Sequence, residues 1–201
     1  MGMKIAATYL PQNVKAFLQT IQWAEGSSKY ENPYAVLFGG GKFIGYDSHP
    51  GICVPYGNTC STAAGAYQIL KGTYNNLHSD GVMPDFTPES QDAGAVALIK
   101  ERGAYQYILA GDIEGAVNRL GGNAPLWASL PSSTVNQPKK SMEKILSTYN
   151  AVRKVGTDDI SEARLALQQA MDFTAKNAVV IGICAAATSI GIYLLTRKKA
   201  A

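Results

Sequence analysis

Charge is scarce in this chain: Asp, Glu, Lys and Arg make up 16% of its 201 residues. Soluble domains usually carry roughly 25%, and part of the deficit lies in an uncharged run in the last quarter. Histidine is scarcer still, with His49 and His78 alone, and the three cysteines are Cys53, Cys60 and Cys184. These residues do not complete a four-ligand set, so no zinc site is expected, and nothing else points to a cofactor. The net charge of +3 comes without a basic stripe interleaved with aromatics, so nucleic acid is not the expected partner. A small positive charge is at most weakly suited to a polyanionic surface. The stretch Met1 to Leu10 has one lysine and no long apolar run, so it does not read as a secretory signal. Internal repeats and low-complexity segments are also missing.

Apolar residues, by contrast, make up 46% of the chain, enough for one packed domain and an appendage. Val14, Phe17, Leu18 and Ile21 recur at helical spacing and predict a helix from about Asn13 to Ala24, stopped at Gly26. Glu25 continues that apolar stripe, four residues after Ile21, so its carboxylate is carried toward the core. Residues 35–47 read as a β-hairpin, with Val36-Leu37-Phe38 and Lys42-Phe43-Ile44 around Gly39 to Gly41. A loop rich in Pro, Gly and Asn follows from Asp47 to Cys60. Its two cysteines are either free thiols or a disulfide, and a disulfide requires an oxidising compartment.

Ser61 or Thr62 can cap a further helix running to about Leu77. Thr87-Pro88-Glu89 is a strong start signal for another, running to about Arg102. Shorter helices are expected from Ala104 to Leu109 and from Asp112 to Gly121. An amphipathic one is expected from Lys139 to Lys154, closing at Gly156. Beyond Gly156 the pattern changes. Asp159 and Glu162 form a possible capping box, and residues 160–176 read as an amphipathic helix. Ala178 to Leu195 then gives 18 residues without a charge. As a helix this run spans about 27 Å, close to the thickness of a bilayer core. Lys176 and Arg197-Lys198-Lys199 bracket it as interfacial anchors would. The expected organisation is therefore a domain over 1–156, an amphipathic linker over 157–176, a transmembrane helix over 177–197 and a basic tail over 198–201.

The chemistry starts from Trp23-Ala24-Glu25-Gly26. A carboxyl group at the end of an apolar helix face is partly desolvated, which raises its pKa and lets it serve as a general acid near neutral pH. By itself a glutamate at a helix end is more often a surface acid. Its setting adds weight. Glu25 is followed by Ser61-Thr62-Ala63-Ala64-Gly65-Ala66-Tyr67-Gln68, then by Phe86-Thr87-Pro88-Glu89-Ser90-Gln91-Asp92 and Ile99-Lys100-Glu101-Arg102-Gly103-Ala104. Gly111-Asp112-Ile113 and Trp127-Ala128-Ser129-Leu130-Pro131 complete the series.

In this order the motifs, over roughly residues 12–135, resemble the phage lambda endolysin family of the lysozyme-like superfamily. The resemblance implies an α+β, mainly α, lysozyme-like domain with a small β-hairpin lobe; the single C-terminal transmembrane helix expected after it comes from the uncharged run and not from the resemblance. It implies a lytic transglycosylase cutting the β-1,4 bond between N-acetylmuramic acid and N-acetylglucosamine and leaving a 1,6-anhydro sugar. Glu25 takes the role of the family's single catalytic glutamate, first acid and then base. Tyr67 and Gln68 match cleft residues: an aromatic can pack on a sugar, and an amide can hold an acetamido group. Ser61 is placed either on the same wall or at a helix cap. Asp47 is either a turn residue or a second carboxylate facing Glu25, and the latter would permit hydrolysis instead. His49 is expected to be structural, and Asp92 and Glu101 solvated or structural. Ala66 and Gly51 depart from the family, which commonly has arginine at both places. The expected partners are peptidoglycan glycan strands and, through residues 177–197, a lipid membrane. The expected setting is a virion internal membrane or the host inner membrane, with action on the periplasmic wall. Alternatives are a hydrolytic muramidase and an inactive peptidoglycan-binding membrane protein.

Overall fold

The computed structural model describes residues 10–122 and 124–156, all within the unit Met1–Gly156. The expected linker, anchor and tail, over 157–201, lie outside the described residues. Among the described residues no helix is long and apolar enough to cross a membrane.

The fold is mainly helical with one small sheet. Helix α1, Gln12–Glu25, buries Val14, Phe17, Leu18 and Ile21 on the stripe read from the sequence. It ends because Gly26 enters the left-handed region at φ 76°, and its N–H turns back to the carbonyls of Gln22 and Trp23. Helix α2 is Lys71–Ser79 and α3 is Pro88–Glu101. The Thr87 side chain caps α3 by accepting from Ser90 N–H. Helix α4, Tyr105–Ala110, stops at left-handed Gly111, and the Asp112 side chain caps α5, Ile113–Leu120, through Gly115 N–H. Residues 142–156 are helical as well. The core gathers Phe17 and Ile21 of α1, Phe86, Ile99 of α3, Ile108, Leu120, Leu130 and Ile145.

Two expectations are corrected. The first is the hairpin over 35–47. Its only ladder contact is the isolated bridge Val36↔Lys42, and 3-10 turns occupy Pro33–Ala35 and Phe38–Gly40. The backbone of 36–38 is engaged elsewhere: Phe38 N–H donates to Ala63 O at 2.8 Å, and Gly65 N–H to Val36 O at 2.7 Å. Gly40 has φ 98°, and a Cβ there would collide with the Tyr30 hydroxyl, so the glycine run shapes a close approach and not a strand turn. The true hairpin lies in the stretch read as loop, with β1 Val54–Tyr56 antiparallel to β2 Thr59–Ser61. Gly57, at φ 57°, and Asn58 form its two-residue turn. A Cys53–Cys60 disulfide staples it, with the two Cα atoms 5.4 Å apart.

The second correction concerns the helix expected from Ser61 or Thr62. Helix α2 does not start until Lys71. Before it, Ala64 and Ile69 exchange both backbone hydrogen bonds, at 3.1 and 2.9 Å, around a tight turn. Gly65 at φ 77° and Gln68 at φ 49° make that turn and forbid helix. The Thr62 hydroxyl does cap a helix, but across nine residues, by accepting from Lys71 N–H at 3.1 Å.

Candidate active site

Glu25 is the last residue of α1 and is half-buried. Its Oε1 accepts from the Ser129 hydroxyl at 2.5 Å. Burial pushes the Glu25 carboxyl above its ordinary value, against the lowering influence of the Ser129 hydrogen bonds and the Lys140 charge. That direction favours a protonated carboxyl, the form a general acid needs.

Ser129 is brought there by the Trp127–Leu130 segment. The Trp127 indole N–H donates to Tyr67 O at 3.0 Å, and Leu130 N–H to Trp127 O at 3.3 Å. Lys140 then closes the segment, its own N–H donating to Ser129 O at 2.8 Å. The Lys140 ammonium sits 4.9 Å from the centre of the Trp23 ring, two residues before Glu25.

Tyr67 is 1% exposed, so its ring offers no free face to a sugar. Its hydroxyl donates to Asp92 Oδ1 at 2.6 Å and accepts from Gln22 Nε2 at 3.1 Å. The Tyr34 hydroxyl donates to the same Asp92 oxygen at 3.0 Å. Asp92 is therefore a half-buried acceptor for two tyrosines, and burial raises its pKa while both hydroxyls lower it. This network ties α1, α3 and the 65–68 turn together. Burial is also the leading cause that raises the Tyr34 hydroxyl to about 12.

Gln68 directs its amide back to Gly65 O at 3.0 Å and stands on a groove of about 670 Å³. Leu70, Thr73 and Asn76 from the α2 side and Leu126 and Trp127 opposite also line that groove. Polar and apolar residues both line it. Neither Glu25 nor its partner Ser129 is among the lining residues; Trp127, two residues before Ser129, is. Ser61 ends β2, and its hydroxyl accepts from Ala63 N–H at 3.2 Å. Asp47 is exposed on the bend after Tyr46. Among the described residues, no carboxylate is one of the groups that act on the Glu25 carboxyl.

His49 is buried, with Nε2 on Ile69 O at 2.8 Å and Nδ1 accepting from Gly51 N–H at 3.0 Å. It packs on Phe86 at 4.7 Å between centroids, and burial lowers its pKa. No group of metal-ligating side chains occurs among the described residues. Sequence reasoning assigned no role to Ser129 or Lys140. Ser129 lay inside a motif already singled out, whereas Lys140 carried no local signal.

The pattern of the Endolysin family matches residues 15–156. The endolysin of Escherichia phage lambda is 35% identical over 141 residues, covering 67% of this chain and 87% of that one. The endolysin of Escherichia phage P2 is 35% identical over 156 residues, covering 69% and 91%. In structure, the bacteriophage lambda lysozyme complexed with a chitohexasaccharide matches with a TM-score of 0.67 at 33% identity, over 71% of this chain and 95% of that one. A second structure, lysozyme from bacteriophage lambda, gives a TM-score of 0.63 at 32% identity with the same coverage. The described domain thus has a lysozyme-like fold, and the chain belongs to the endolysin family.

Proposed function

We propose that this endolysin cleaves the glycan strands of peptidoglycan by lytic transglycosylation. The observation that carries the reading is the Glu25 carboxyl, sheltered at a helix end and held by Ser129, with no carboxylate partner among the described residues. Protonated Glu25 gives its proton to the oxygen between N-acetylmuramic acid and N-acetylglucosamine as the C1–O bond breaks. The resulting carboxylate then takes the proton of the muramoyl C6 hydroxyl, whose oxygen closes on C1. The acid is regenerated, and no water enters. An internal hydroxyl is already in place, so one carboxyl group suffices. Asp47, exposed on its bend, is not needed as a nucleophile in this scheme.

The groove beside Gln68 and Trp127 supports an extended saccharide as ligand. The related lysozyme was solved with a chitohexasaccharide, a chain of the same kind of sugar. Residues 177–197 are the proposed membrane anchor, on the strength of the uncharged run and its flanking cations. The disulfide fits action in an oxidising compartment, on the wall side of a membrane.

Mass spectrometry of fragments released from purified sacculi tests the reaction. The full chain in detergent is expected to give anhydro-muramoyl ends, each lighter by one water than a reducing end. Reducing ends would replace this reading with the hydrolytic one, and Glu25→Gln is expected to release neither.

A further inference from the structure

Lys140 is the described residue whose charge acts on the Glu25 carboxyl. Ser129, the hydrogen-bond partner of the carboxyl, is neutral. Neighbouring Lys139 is directed away, its ammonium donating to Ser133 O at 2.6 Å. Lys140 is fixed at both ends. Its backbone N–H holds Ser129 O at 2.8 Å, and its ammonium lies over Trp23 at 4.9 Å. Ser129 in turn holds Glu25 at 2.5 Å. The contacts Glu25–Ser129–Lys140–Trp23 therefore close a ring, because Trp23 and Glu25 share the last turn of α1.

Such a cation has a chemical use. A buried glutamic acid is easily protonated but releases its proton reluctantly, since the carboxylate it leaves is poorly solvated. A nearby ammonium stabilises that carboxylate at the moment of transfer, and a rigidly placed one does so without reorganising. We propose that Lys140 is a positioning residue of the reaction, which tunes Glu25 between acid and base by holding a positive charge beside it. This rests on the assignment of Glu25 as the general acid. Lys140 itself exchanges no proton with substrate.

The test compares Lys140→Gln and Lys140→Arg in the full chain, by the pH profile of kcat/KM and by ¹³C-NMR titration of the Glu25 carboxyl. In Lys140→Gln the alkaline limb is expected to move to higher pH. The ratio of activity at about pH 8 to that at about pH 6 then rises roughly threefold or more. The Glu25 resonance titrates higher in parallel. Lys140→Arg keeps the charge and is expected to keep the wild-type limb. An unmoved limb and titration in Lys140→Gln would overturn the proposal, as would an equal displacement in Lys140→Arg. A charge that merely grips substrate raises KM and leaves the limb in place, which also counts against it. Failure of the Glu25 assignment is a separate outcome: Glu25→Gln stays active, while the NMR titration still reports the Lys140 coupling.

Discussion

Burial of the Glu25 carboxyl couples the stability of the fold to pH. Its folded pKa is raised by burial, so the carboxyl binds a proton more tightly in the folded chain than in the unfolded one. Its contribution to stability is complete below the unfolded pKa and is lost as pH rises through the folded one. Glu25→Gln, which is uncharged at every pH, is therefore expected to have a higher Tm than the wild type near neutrality. The gap should close toward pH 4, and thermal denaturation followed by circular dichroism at several pH values checks this. His49 works in the opposite sense. Its pKa is lowered by burial, so the stability tied to its neutral form is present above the unfolded value and lost as pH falls through the folded one. Protonation there also removes the acceptor for Gly51 N–H. Replacing His49 by Gln should flatten the acid side of the stability profile, whatever its effect at neutral pH. Tyr67 illustrates a different dependence. Tyr67→Phe leaves Asp92 with one tyrosine hydroxyl in place of two and Gln22 with only the longer 3.4 Å contact to Tyr34. A loss of about 1–3 kcal/mol is expected from denaturant titration, because the orphaned groups are shielded from water.

Among the elements, α2 gives the plainest test of long-range capping. Thr62→Val keeps the shape but removes the acceptor for Lys71 N–H, and should cost about 1 kcal/mol in denaturant unfolding. Helices α1 and α3 were legible in the sequence to within a residue or two, since a 3.6-residue apolar stripe, Gly26, and Thr87-Pro88 are local signals. The sheet was misplaced for an equally physical reason. Residues 36–38 and 42–44 have strand-like composition, yet the partners of 36–38 come from 63–65, a pairing invisible to local pattern. The Gly57-Asn58 turn was a usable hairpin signal, masked by the surrounding Pro, Gly and Asn. The start of α2 was misread because the 64–69 turn needs a left-handed non-glycine residue, Gln68, which composition does not announce. In the candidate site, the place of Glu25 at the end of α1 was legible from the helix pattern. Lys140 was not, because only the fold brings it to Trp23, 117 positions earlier in the chain. The disulfide closes a small loop and stabilises by about 2.5 kcal/mol at most on the chain-entropy account. An isolated two-stranded hairpin is marginal in water. Cys53→Ser with Cys60→Ser should therefore increase amide exchange across 54–61 while leaving α1 and α3 protected.

At the scale of the whole molecule, a lysozyme-like domain supplies a groove and a sheltered acid, and the uncharged run over 178–195 is the proposed means of holding that domain at a membrane. Fractionation is expected to keep the full chain with membranes in high salt, and its appearance in the high-salt soluble fraction would remove the anchor from the account. The enzymatic part stands apart from the anchor and depends on the protonation of a single group. Its most direct test is a ¹³C-NMR pH titration of the Glu25 carboxyl in the wild-type full chain, set beside the alkaline limb of its activity on sacculi. The titration is expected to fall above the ordinary glutamate value, with its midpoint coinciding with that limb. A Glu25 that ionises at or below the ordinary value, or whose ionisation leaves cleavage unchanged, would contradict it.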